Sequence, residues 1–114
     1  MKPKLRSRAR AAALQILYQM DLGSSEAEAL DHVMRHFGTP PLDNGYLRRL
    51  LDGVSDQHED LSARLEAASP DWRRDRQDVV DRTLLLMGAF ELVEGTAPLK
   101  VVLTEAALLA ERYG

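Results

Sequence analysis

The sequence predicts an all-α protein, a bundle of about six helical elements. Three observations predict it. Apolar residues recur at helical spacing through most of the chain. Start and stop signals for helices punctuate it: Gly23, the Ser25–Glu28 box, Pro70 and Pro98. No stretch alternates apolar and polar residues as a half-buried strand would.

The first helix centres on Arg6 to Leu22, RSRARAAALQILYQMDL. Ala9, Ala12, Ala13, Ile16, Leu17 and Met20 form its apolar stripe. Pro3 suits a first turn, where its missing N–H costs nothing. Gly23 closes the helix. Ser25-Glu26-Ala27-Glu28 reads as a capping box for a second helix, with Leu30, Val33, Met34 and Phe37 inward and Gly38 at its end. Thr39 to Gly45 is turn chemistry. A long third helix is expected from about Tyr46 to Ala68. Its stripe is Leu47, Leu51, Val54, His58, Leu61, Leu65 and Ala68, and Gly53 within it points to a close helix crossing, with a hinge as the lesser alternative. Ser69-Pro70-Asp71 breaks that helix, and Trp72 to Arg76 forms one short turn. The next helix runs from about Gln77 to Val93. Its middle, Leu84 to Phe90, carries no charge on any face and reads as the central, buried helix. Pro98 starts the last helix, which buries Val102, Ala106, Leu109 and Tyr113. At 114 residues the chain is one domain, 1–114, with helical halves of about 1–68 and 69–114.

Charge is unevenly spread. Lys2, Lys4, Arg6, Arg8 and Arg10 give the first ten residues five cations and no anion. The other 104 residues hold ten cations and eighteen anions, a balance of −8. A helix N-terminus prefers acids, so cations there break a local rule. An external polyanion explains the exception; a solvated, frayed terminus is the plainer alternative. Lys2, Arg6 and Arg10 share one helical face, and Lys4 and Arg8 the adjacent row. Guanidinium forks bind phosphate and stack on bases, and single-stranded RNA offers both. Tyr18, two turns beyond Arg10, is either a stacking surface for a base or a half-buried core residue.

Other chemistries find little support. Without cysteine there is no disulfide, thiolate zinc site or thiol nucleophile. His32 and His36 have ligand spacing but lack a convincing third ligand, so no metal is expected. His58 falls on the apolar stripe and reads as a core histidine. Glu59-Asp60 and the Asp75/Asp78 pair read as solvated faces and caps. No nucleophile elbow or glycine-rich phosphate loop is present, so neither catalysis nor a cofactor is expected. No apolar run reaches the ~20 residues that a membrane crossing needs. The N-terminus lacks the apolar region of a secretory signal, and the expected location is cytoplasmic.

Four stretches in order carry a resemblance. RSRARAAALQILYQ at residues 6–19, YLRRLLDGV at 46–54, DRTLLLMGAFEL at 81–92 and APLKVVLTEAALLAERYG at 97–114 resemble the NusB family of bacterial transcription antitermination factors. The resemblance implies a helical bundle of two small subdomains. It implies binding to boxA-type single-stranded RNA, and pairing with NusE, a ribosomal protein of the small subunit, within the RNA polymerase elongation complex. By motif position, Arg6, Arg8, Arg10 and Tyr18 belong to the RNA side, with Lys2 and Lys4 adjoining, and Asp81 belongs near the partner side.

The chain departs from the family pattern at Leu86, where an arginine is usual, at Thr104, where asparagine is favoured, and at Glu111, where lysine is. Family members also continue for one more helix, whereas this chain stops at Gly114. The last helix is apolar on more than one face, from Leu99 to Ala110. The expectation is an open apolar groove and a two-fold homodimer; the alternative is a monomer in which side helices tilt inward and close the groove. Two other readings stand beside the RNA-binding factor. One is a protein-interaction module without strong RNA binding; the other is the N-terminal fragment of an RNA methyltransferase.

Overall fold

The computed structural model describes residues 2–36, 41–72 and 78–114, with side chains from residue 5 onward. Six α-helices run through them: α1 Lys2–Asp21, α2 Glu26–His36, α3 Asn44–Asp56, α4 His58–Ala68, α5 Val79–Glu94 and α6 Leu99–Tyr113. Among the described residues there is no strand, and the fold is all-α. None of these helices is long and apolar enough to cross a membrane. Two compact units are formed, Met1–Leu51 and Asp52–Gly114, and the division falls within α3.

In the first unit α1 packs on α2. Ala9, Ala12, Ala13, Ile16 and Leu17 are buried as the stripe predicts, and Ala11 and Leu14 are buried as well. Helix α1 therefore buries more than one face, and its run of alanines lets neighbours approach closely. Gly23 takes φ +112, open to glycine at no steric cost. Its N–H donates to Met20 O (3.1 Å), and the Ser24 N–H donates to Gln19 O (3.0 Å). These nested bonds satisfy carbonyls at the end of α1 and turn the chain back. The capping box then starts α2. The Ser25 N–H donates to Glu28 Oε1 (2.9 Å), and the Glu28 N–H donates to Ser25 Oγ (3.1 Å). The bond from the Ser25 backbone N–H favours the ionised carboxylate, the Ser25 hydroxyl adds to it, and together they hold the Glu28 pKa below the ordinary glutamate value. Ala29 and Val33 are the buried residues of α2. Phe37, Gly38 and the Thr39-Pro40 turn lie outside the described residues.

The expected long third helix is two helices. The break is Gln57, whose ψ of 16° leaves the helical region. Its side-chain N–H donates to Glu94 Oε1 at the end of α5 (2.9 Å). Val54 and Leu61, seven residues apart across the break, are both buried, and the repeat fails only at the break itself. His58 becomes the first residue of α4 and is exposed beside Glu59, with Nδ1 3.7 Å from Oε1. The core role expected for His58 is thus overturned. Leu61 and Ser62 are the buried residues of α4.

In the second unit α5 packs on both α4 and α6. Val80, Leu84, Leu86, Met87 and Phe90 are buried, as a helix without a polar face requires. Leu85 departs from that expectation and is exposed. Gly53 gives the close crossing the sequence implied, since a methyl group there would overlap the Phe90 ring. Trp72 is buried, and the Arg82 guanidinium lies over its ring at 4.4 Å and donates to its carbonyl (3.3 Å). The rest of the expected Trp72–Arg76 turn lies outside the described residues, as do Asp75 and Gln77. Gly95, at φ +68, closes α5, and its N–H donates to Glu91 O. Val102 and Leu109 hold α6 to its unit, while Ala106 and Tyr113 are only half-buried.

Candidate nucleic-acid interface

Contacts tie the described part of the cationic end of α1, from Leu5 onward, to the start of α3. No acid occupies its first turn. Arg6 and Arg8 are exposed. One Nη of Arg8 donates to Pro41 O (3.0 Å). The Asp43 N–H donates to Leu5 O (3.1 Å). The Arg6 guanidinium carbon lies 4.4 Å from the centroid of the Tyr46 ring, and that of Arg10 lies 5.3 Å from it. The segment from Pro41 to Tyr46 thus closes over the first turns of α1 at several levels.

Tyr46 holds its place because the start of α3 is capped. Asp43 Oδ1 accepts from the Tyr46 N–H (3.0 Å), and Asp43 O accepts from the Leu47 N–H (2.9 Å). An Asp at the N-cap satisfies donors that the first turn would otherwise leave open. The ring is only 4% exposed. Its face carries partial negative charge, so cations within about 6 Å are attracted to it.

Arg10 differs from the reading of a cation held in water, for it is 4% exposed. A long stem with a planar head can be buried where an aromatic face receives the charge. The carriers of exposed charge among the described side chains of this end are therefore Arg6 and Arg8. Lys2 and Lys4 lie on the same helix, with side chains outside the described part. Tyr18 is 36% exposed, roughly 12 Å along the helix axis from Arg10. The ring that receives the arginines is Tyr46.

Tyr46 and Asp43 are the site residues that sequence reasoning missed. Asp43 followed by a helical run was a readable cap signal. The approach of residue 46 to residues 6 and 10 has no local signature, because it joins separate helices.

Asp81 lies elsewhere, on α5 in the second unit. It is exposed and lines an open apolar groove of about 430 Å³ with Leu84, Leu85, Ala106, Ala107 and Ala110. Of the histidines, His32 and His36 have ring centroids 4.0 Å apart, and His36 Nδ1 lies 2.9 Å from His32 O. Among the described residues no group of three metal-ligating side chains forms around them or elsewhere.

Comparison with known proteins agrees with the motif order. The model of the NusB family matches residues 7–114. A protein named transcription antitermination protein NusB in Anaeromyxobacter dehalogenans (strain 2CP-1) is 37% identical over 114 residues, covering 96% of this chain and 78% of that protein. Its namesake in Halorhodospira halophila is 38% identical over 112 residues, covering 97% and 72%. That of Desulforamulus reducens is 32% identical over 111 residues, covering 96% and 78%. With a family match over nearly its whole length and relatives of this similarity, the chain belongs to the NusB family.

Proposed function

We propose that this chain is a non-catalytic transcription antitermination factor. It binds boxA-type single-stranded RNA through the cationic end of α1, and a NusE-type ribosomal protein through the Asp81 side of its second unit. Both act within the RNA polymerase elongation complex. The observation that carries the RNA reading is the set of arginines at a helix end without acid: Arg6 and Arg8 exposed, with Arg6 and Arg10 brought to one ring. A helix N-terminus and guanidinium groups attract the same phosphates, so their effects add there. The acidic remainder of the chain disfavours indiscriminate binding and confines the polyanion to that end.

Salt dependence tests this. Single-stranded RNA releases counterions with a log–log slope of about −0.7 for each phosphate neutralised. Replacing Arg6 and Arg8 together by alanine flattens the slope by roughly 1.4 and leaves the far-UV circular dichroism unchanged. An unchanged slope in that variant removes α1 from the RNA site and favours the protein-interaction reading. For the partner side, Asp81→Lys weakens capture of the ribosomal protein while RNA affinity stays near native. Undiminished capture by that variant rejects Asp81 as a contact.

A further inference from the structure

We propose that Tyr46 is a positioning residue for RNA recognition, its ring holding the Arg6 guanidinium ordered on the surface before a phosphate arrives. The inference rests on the RNA-binding reading above.

A free arginine side chain has several rotatable bonds, and fixing them on binding opposes affinity. A planar guanidinium stacked on an aromatic face is already confined to a plane, with N–H edges pointing outward from the stack. Arg6 meets that description: it is exposed, and its guanidinium carbon lies 4.4 Å from the ring centroid. The ring cannot swing away freely, because Tyr46 is 4% exposed and its own N–H is held by Asp43 Oδ1. Arg10 reaches the same ring at 5.3 Å and is buried, so it supports the platform from inside. The bond from the Asp43 N–H to Leu5 O fixes the platform against the residue preceding Arg6. Arg8 is ordered differently, through Pro41 O. Arg8 therefore serves as an internal control.

The test is a double-mutant cycle on the full chain, with a labelled boxA-type single-stranded RNA as probe. Tyr46→Leu weakens binding by about fivefold, as loss of a cation–π contact and its ordering predicts. Arg6→Ala adds little in that background, whereas Arg8→Ala adds its full effect. Tyr46→Phe keeps the ring and retains native coupling to Arg6. A purely structural tyrosine would give additive losses with Arg6→Ala, and that result overturns the proposal. Two further measurements do not depend on the stability of Tyr46→Leu. Arg6→Lys keeps the charge but not the planar stack, so affinity falls while the salt slope is unchanged. Equal affinity for Arg6→Lys overturns the proposal. In the native chain without RNA, the Arg6 side-chain proton resonances are shifted upfield by the ring; unshifted resonances also overturn it. If the native chain fails to bind the RNA, the functional reading itself has failed. Native binding with additive Arg6 and Tyr46 losses sinks the positioning role alone.

Discussion

Gly53 shows how much one hydrogen atom decides in a helical core. Glycine inside a helix costs about 1 kcal/mol against alanine, so propensity alone favours replacement. The Phe90 ring occupies the space that a methyl group would need. Phe90 is itself buried, so the ring has little room to retreat. Overpacking of that kind costs about 1–3 kcal/mol and outweighs the propensity gain. Gly53→Ala is expected to lower the urea midpoint with little change in slope. Phe90→Leu in the same chain should recover part of the loss by opening the site. Additive destabilisation in the double variant would mean that the two positions do not compete for space.

At the scale of the element, the caps do what their spacing predicts. The box at Ser25 and Glu28 closes reciprocally, and its charge dependence has a definite sign. The folded pKa of Glu28 is lowered, so its stabilising contribution is fully present above the unfolded value. That contribution is lost as pH falls through the folded value. Ser25→Ala should raise the Glu28 midpoint toward the ordinary glutamate value in an NMR titration. The rise is partial, because alanine keeps the backbone N–H that is the larger cause, and a midpoint unmoved by Ser25→Ala would assign the lowering to that N–H alone. Such caps were legible because every partner lies within a few residues. The break at Gln57 was not, because Leu47, Leu51, Val54, Leu61 and Leu65 keep a seven-residue repeat straight through it. Polar residues surround the break, so apolar periodicity there is silent. One signal was available: Glu59 and Asp60 stand in the first turn of α4, where a helix N-terminus favours acids. The candidate site was half legible in the same way. Its cations could be counted along α1, but the ring that Arg6 and Arg10 reach comes from α3, a long-range contact.

At the scale of the whole molecule, two kinds of surface compete to govern association. One is electrostatic: the first ten residues carry five cations against a balance of −8 on the remaining 104. The other is apolar. Leu103 is 60% exposed and Leu108 57%, and Leu99 and Leu85 are exposed as well. Leu99, Leu103, Ala106 and Ala110 follow one another at steps of four, three and four, so they share one side of α6. That side borders the groove formed with Leu84 and Leu85 of α5. An apolar surface of this kind favours burial against a second copy, most simply about a two-fold axis. The 114-residue chain is therefore expected to self-associate at micromolar concentration in sedimentation. Salt separates the two causes. At about 0.5 M salt the screening length is roughly 4 Å, so a pairing of the basic end with the acidic body would dissociate. An apolar pairing persists there. Leu85→Glu together with Leu103→Glu should then give a monomer without altering the salt slope of RNA binding, because the arginines lie on another helix. A native chain that is monomeric under these conditions, or one whose association disappears with salt, would leave the exposed leucines of α6 without a role in self-association.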